Sequence, residues 1–531
     1  MSNLKWFVGC LMATLISTLL FSCSTVLKTF PAQQKLTAGK IIVNKNVDLQ
    51  GKTLSLPKGC TLVFKRGGLI SNGVIEGAET RIKYSGPCFN NIEIKGTWVV
   101  PVIRSEMFLS YNKNGLANLF GLQNASVKNS IYVSPGDYHV DANGQSAALP
   151  LTSNTTLQLD GDVVLDKQTN NKFYNGYYVL SVNRANNVRI CGKGSISGDY
   201  KQSGIDSEYG HGICVFKSSN VSIEGLTIKN VQGDGIAISI GCSDITVNGV
   251  KIEQYYRNGI SVVDGSKIVI DNVTVRNGGD TSPYAAIDIE PNEGYTIDNI
   301  LVRKMTIENC GVGLSGYVPK NAKVTNVCYK GVRMKGVTRC CMTSSLFSDL
   351  ELNDVYIEDV GENAEIMRFL ENRSLIMSNV LVKAANSKAK YPFYLKNENL
   401  RVDNCQFDCP QLFSWHLSNA QFKNSSFVFD SFIWTAADLA NSNISFDGCT
   451  FDGPLFMRPD RVSFKNCVFR NGRSNQKYLV RFEDSRKLKE DYSGVEMDNN
   501  TFETGGNVTE SSAIQCLTKK NVIAKSRYRS R

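Results

Sequence analysis

The chain has 531 residues, with 59 Lys and Arg against 49 Asp and Glu, a formal charge of +10 and only three histidines. The cations are scattered and not interleaved with aromatic residues, which argues against a nucleic-acid partner. His139, His211 and His416, with no Cys/His cluster of metal spacing, argue against a zinc enzyme.

The chain opens with "MSNLKWFVGCLMATLISTLLFS", one lysine followed by an apolar run from Trp6 to Phe21, the layout of a secretory signal over residues 1–22. The run is short for a spanning helix, which needs about 20 residues. Leu20-Phe21-Ser22-Cys23 resembles the lipobox of bacterial lipoproteins, which implies a lipidated Cys23, export, and membrane attachment at the cell envelope. "STVLKTF" follows without an acidic run, so which membrane face the protein occupies stays open. Residues 23–35 read as a linker.

Residues 36–150 alternate in short strands, as in "GKIIVNKNVDLQGKTLSLPKGCTLVFKRGGLISNGVIEG". They are expected to form the first coils and cap of a solenoid, whose open end would otherwise expose strand edges. Residues 151–345 repeat visibly. "NNVRICGKGSI", "SNVSIEGLTIKNVQGDGIAIS", "SDITVNGVKIEQYYRNGISVV", "SKIVIDNVTVRNGGDTSPYAAIDIE" and "DNILVRKMTIENCGVGLSG" align on Asn187, Asn220, Asp244, Lys267 and Asn299. A coil of 23 or 24 residues recurs, lengthened in two places. Each unit holds two or three strands of period two, rich in Val and Ile and joined by Asn, Asp and Gly turns. Residues 346–520 continue more loosely, with a phrase recurring at Phe407, Phe427, Phe451, Phe469 and Phe502, and 521–531 read as a basic tail. Cysteines in contexts such as "DNCQF", "DGCTF" and "KNCVF" are expected as buried free thiols stacked inside. The expected fold is an all-β, single-stranded right-handed parallel β-helix.

"VSPGDYHV", "LTSNTTLQLDGDVVL", "NNVRICGKGSISGD" and the successive coils resemble the pectin lyase-like superfamily of right-handed β-helices, over roughly residues 36–510. The resemblance implies the fold but not the reaction, because that superfamily spans polygalacturonases, lyases, epimerases, tailspikes and adhesins. Polygalacturonases show an Asn-Thr-Asp phrase, a paired aspartate coil, Gly-His-Gly and then Arg-Ile-Lys. Here Gly210-His211-Gly212 precedes Gly233-Asp234-Gly235 and the other phrases are missing, so no catalytic residue is carried over.

The site is therefore argued from the coils. Ile213, Ile236, Ile260, Ile287 and Leu314 superpose as an inward column, and alternation sends Asp288 and Glu290 outward as exposed neighbours about 6.5–7 Å apart. They are the expected catalytic pair. The competing reading is two solvated charges before a Pro291-Asn292 turn. Gly212, Gly235, Gly259 and Ala286 are expected as an open floor, with Ser261 beside Asp288. Arg257 and Tyr284 lie upstream, Arg257 about 13 Å along the strand from Asp288, and Tyr317 lies beside Glu290; all three are expected to bind substrate. Asp234 and His211 share the inward parity and sit at a corner, either as turn residues or as further binding groups. The lengthened coils, 197–212 and 276–283, are expected to wall the cleft.

Three functions remain open on the sequence: a glycoside hydrolase using the carboxyl pair, a uronate lyase in which the pair holds Ca²⁺ and Arg257 or a lysine is the base, and a non-catalytic glycan-binding lipoprotein. The hydrolase needs no cofactor. The expected partner in each case is a polysaccharide or oligosaccharide, an acidic one matching the positive charge.

Overall fold

The computed structural model describes residues 24–27, 36–109, 115–142, 146–166, 177–200, 210–434, 443–457, 461–472, 475–482, 495–516 and 522–530. The signal segment and Cys23 lie outside them. Among the described residues no helix is long and apolar enough to cross a membrane.

The fold is almost entirely β. Two compact units are distinguished. The first, made of the described residues up to 134 with two short later pieces, carries a parallel sheet that includes Lys40–Val43, Thr61–Phe64, Leu69–Lys83 and Phe89–Val99. Ser24–Val26, inside the expected linker, is a strand paired with Lys40–Val43. The short helix Gly115–Phe120 is tied to this sheet by Asn118, whose Oδ1 accepts the Ile94 N–H at 3.1 Å.

The second unit is a stack of coils. Through its central part each strand pairs in parallel with the strand three places on, so one coil supplies one rung to each of three ladders. The first ladder contains His211–Phe216, Ile236–Ile238, Ile260–Val262, Ala285–Ile289 and Val312–Gly316. Its register is Ile213↔Ile236↔Ile260↔Ile287↔Leu314, the column aligned from the sequence. Ile213, Ile236, Ile260 and Ile287 have no exposed surface, and full burial of each such side chain is worth about 1.5–3 kcal/mol.

The turn chemistry explains why the repeat is so legible. Asn187, Asn220, Asp244, Lys267 and Asn299, the five aligned positions, all adopt a left-handed backbone with φ between 52° and 58°. Asn and Asp tolerate that region best among non-glycine residues, and stacking adds a side-chain bond from Asn220 Nδ2 to Asn187 Oδ1 at 2.9 Å. The lengthened spacings fall where residues are inserted between rungs without disturbing the register.

In the later coils the interior changes to stacked phenylalanines. Phe407, Phe427, Phe451, Phe469 and Phe502 lie 4.9–5.5 Å apart at interplanar angles of 8–14°. The basic segment expected as a tail contains the strand Val522–Ser530, paired in parallel with Val495–Thr504. All described free cysteines except Cys191 and Cys328 are buried.

Candidate active site

The site lies on the first ladder and at the corner that feeds it. Asp288 stands directly beside Ser261 and Ser315 on the adjacent coils. Contrary to the expectation of an exposed residue, Asp288 is only 2% exposed. Its parity is outward, but Arg257, Asn258, Ser315 and Glu290 close around it: Asn258 Nδ2 donates to Asp288 Oδ2 at 3.4 Å, and Glu290 and Ser315 are within hydrogen-bonding reach. Glu290 is the open member, its side chain 45% exposed.

The two carboxyl groups touch, whereas their strand positions alone suggested a gap. Burial pushes the Asp288 carboxyl up, to about 8, and the Glu290 charge and hydrogen bond add to the rise; Ser315 and Arg257 oppose it. Two carboxylates in contact cannot both ionise cheaply, so one proton is held between them. The deeper burial of Asp288 favours it over Glu290 as the holder of that proton.

Beneath the pair is a second carboxylate hub. Asp234, with a side chain 1% exposed, accepts Arg257 Nη1 at 3.1 Å through Oδ2 and the Asn258 N–H at 3.2 Å through Oδ1. The two residues it orients then diverge. Arg257 Nη2 reaches to 3.9 Å from Glu290 Oε2, while Asn258 Nδ2 bonds Ser261 Oγ at 3.0 Å and Asp288 at 3.4 Å. Asn258 Oδ1 also accepts the Ala285 N–H at 3.0 Å, fixing the start of the Asp288 strand. On the preceding coil His211 Nδ1 accepts the Asp234 N–H at 2.9 Å, which leaves a proton for Nε2 in the neutral ring. Tyr178 stacks on that imidazole, 5.6 Å between centroids at 4°.

Several expectations are corrected by this geometry. Arg257 belongs to the carboxyl pair itself and not to a subsite 13 Å away, because its long side chain doubles back along the coil axis to Asp234 and Glu290. His211, Asp234 and Ser261 are buried, as Asp288 is, and through their hydrogen bonds they position the site. Tyr284 packs against Ala285, Val312 and Cys340 and has the Arg339 guanidinium 3.8 Å from its ring centroid, so that ring face is already occupied. Tyr284 also has φ +67°, an unusual value for a bulky residue. The Gly212, Gly235, Gly259 column is no open floor. A Cβ at these positions would meet Ile228, Ile252 and Val275 Cγ atoms at 2.5–2.6 Å, so glycine there lets two ladders approach from inside. Tyr317, 53% exposed beside Glu290, is where it was expected.

Sequence reasoning missed Asn258. It shares a stacked column with His211 and Asp234, two residues before the inward isoleucines, and following that column one coil further would have found it. The expected walls are described in part, residues 201–209 lying outside the described residues. Their described ends hold buried Asp199, which accepts from Tyr177 at 2.6 Å, and Tyr200, which donates to Asp280 and tilts against Tyr256 at 5.2 Å.

The arrangement fits Ca²⁺ poorly. The ion takes six to eight oxygens, whereas here Glu290 faces a guanidinium and no group of three His, Cys, Asp or Glu with metal-binding geometry occurs among the described residues. Arg257, permanently charged and paired with Asp234, is equally unsuited to act as a base.

Residues 158–299 match the family model described as right handed beta helix region. Two curated proteins of Bacillus subtilis strain 168 align with parts of the chain. Uncharacterized protein YclG is 25% identical over 189 residues, 30% of this chain and 32% of that protein. The SPbeta prophage-derived uncharacterized protein YorA is 31% identical over 164 residues, 27% and 28%. The chain thus spans about a third of the length of the curated relatives it matches. Among solved structures it is similar to a Yersinia enterocolitica Family 28 exopolygalacturonase, at TM-score 0.47 and 12% identity over 73% of this chain and 79% of that one. It is also similar to the A-module of the Azotobacter vinelandii mannuronan C-5 epimerase AlgE6, at TM-score 0.34 and 12% identity over 80% and 99%.

Proposed function

We propose, from the premise that its central coils are a right-handed β-helix region, that this protein is an exported glycoside hydrolase built on a single-stranded right-handed parallel β-helix, with Asp288 and Glu290 as its reacting pair. The observation that carries the reading is the buried Asp288, its carboxyl pushed up by burial, in contact with a half-exposed Glu290. Glycoside cleavage needs one carboxyl to give a proton to the leaving oxygen and one carboxylate to activate water or attack the anomeric carbon. Here environment divides the roles: Asp288 supplies the proton, Glu290 the negative charge. Substrate entering over Tyr317 would part the loose Arg257–Glu290 contact and separate the two carboxyl groups, and Arg257 would then hold the ionised Glu290 or an acidic sugar.

The test is digestion of a panel of plant, algal and host polysaccharides, with new reducing ends and the ultraviolet absorbance of unsaturated ends read in parallel. Reducing ends without unsaturation, lost in both Asp288→Asn and Glu290→Gln while the fold persists, are the expected result. Unsaturated products would replace this reading with a lyase, and full turnover by both variants would remove the pair from the mechanism.

Export and anchoring belong to the same proposal. The "LLFSC" phrase after the apolar run supports a lipid on Cys23. Cys23→Ser is expected to move the protein from the membrane to the soluble fraction, and continued membrane association would count against the anchor.

A further inference from the structure

The outward column that carries Asp288 runs on toward the C-terminus in unbroken register. Asp288 pairs with Ser315, and the ladder then places Thr343, Arg368 and Tyr394 in the same line. The parallel column reads Glu290, Tyr317, Ser345, Leu370 and Lys396. For two coils beyond Asp288, therefore, its own column presents only the short hydroxyl side chains of Ser315 and Thr343 before Arg368, with Tyr317 and then Ser345 beside them. Arg368 is drawn to Glu365, Nη1 at 3.2 Å from Oε1. At the far end Tyr391, 40% exposed, packs against Tyr394 with centroids 6.4 Å apart, and the Lys390 ammonium lies 5.2 Å from the Tyr391 centroid.

Coils rise by about 4.8 Å, close to the length of one sugar unit, so Tyr394 lies about four units from Asp288. Aromatic rings pack against the apolar C–H face of a pyranose while their hydroxyls stay in water, which suits a tyrosine that is only partly covered. Tyr317 offers one such surface beside the carboxyl pair, and Tyr391 with Tyr394 offers another. We propose that Tyr391 and Tyr394 form a distal saccharide subsite, so that a polysaccharide lies along the coil axis from Glu290 toward the C-terminal coils. The flat hydroxyl strip between the two aromatic stations leaves the chain room to pass, and the cations Arg368, Lys390 and Lys396 flank it.

This inference rests on the reading of Asp288 and Glu290 for the direction of the chain, but its test needs no cleavage. The full protein is run in native gels cast with homogalacturonan, alginate, arabinoxylan or chondroitin sulfate, using Asp288→Asn as the non-cleaving form. At least one polymer is expected to retard Asp288→Asn. Adding Tyr391→Ala and Tyr394→Ala is expected to weaken that retardation about tenfold, with the thermal midpoint unchanged, while Tyr391→Phe with Tyr394→Phe keeps it. Unchanged retardation in the alanine form, or no retardation by any polymer, overturns the distal subsite. Retardation lost with the alanine pair in a protein that never cleaves the polymer would instead sink the hydrolase reading and leave the subsite standing.

Discussion

The coils around residues 210–317 and those around 405–502 use the same stacked architecture but fill it with opposite chemistry. In the later coils the buried corner positions are neutral and satisfied by the next coil: the Cys405 N–H is accepted by Ser425 Oγ at 3.1 Å and the Cys467 N–H by Asn500 Oδ1 at 2.8 Å. The interior there is filled by phenylalanines in parallel stacks. In the central coils that same corner carries the buried apolar residues Leu226, Val250 and Val273, and it is elsewhere, at the corner feeding the first ladder and on that ladder's outward side, that Asp234 and Asp288 are buried and Arg257 half-buried. A stack of this kind holds together without charges, as the later coils demonstrate, and burying them costs free energy unless each is paired and hydrogen-bonded. The central charges are therefore an expense that stability alone does not explain, and they mark where the scaffold has been given over to chemistry.

The largest expected break in this comparison comes from moving a charge to where no partner exists. Ile260 is fully buried in the isoleucine column. Ile260→Asp is expected to cost more than about 4 kcal/mol, the range of buried unpaired charges, and to leave little folded protein by circular dichroism. A thermal midpoint near that of wild type would show that the column does not face inward.

Next comes the pair itself. Glu290→Gln is expected to lower turnover by at least about 10³-fold, the scale of losing an acid–base or nucleophilic carboxylate, with the fold unchanged because Glu290 is half exposed and does no packing. Phe451→Ala probes the opposite region. It removes the middle of the aromatic stack and is expected to cost about 3–5 kcal/mol in denaturant unfolding, leaving turnover at low temperature intact. Loss of turnover without loss of stability in Phe451→Ala would erase the distinction between the two regions.

Arg257→Ala falls between these classes. It strips Asp234 of its cation and Glu290 of its neighbour, so both stability and activity are expected to fall, stability by about 1–3 kcal/mol given that Arg257 is partly solvated. Adding Asp234→Asn should recover part of the stability, since the charge left without its partner is then gone, but none of the activity. If the double variant is less stable than Arg257→Ala alone, the two residues are not coupled as described.

How much of this was legible in the sequence follows from the same physics. The coil register was readable because left-handed turns demand residues such as Asn187 and Asn220 and because isoleucine recurs at one parity. Asp288 and Glu290 were readable for the same reason, as carboxylates in the wrong parity for a core. Their burial and contact were not, because these depend on Arg257 folding back from a neighbouring coil and on Asn258 bridging two others, and no periodicity encodes the path of a long side chain. The inward-packed glycines were misread because alternation fails at a corner, where the backbone turns and the next ladder comes within reach.

The smallest effect is the most direct probe of the buried proton. Asp288 holds its proton to about pH 8 in the folded state because burial and Glu290 disfavour its charge, whereas in the unfolded chain an aspartate loses it near pH 4. Between those values the folded protein binds more protons than the unfolded one, so this residue's contribution to stability is complete below about pH 4 and is lost as pH rises toward about 8. Asp288→Asn is nearly the same shape and has no proton to lose. It is therefore expected to match wild type within about 1 °C at pH 4 and to exceed it by a few degrees at pH 8 in thermal melts. The gap should open steadily with pH, and wild-type turnover should fall over the upper part of the same range as Asp288 ionises. A gap that is constant across the range, or one that widens toward acid, would mean that Asp288 is already ionised in the folded protein and that the proton placed between the two carboxyl groups is not there.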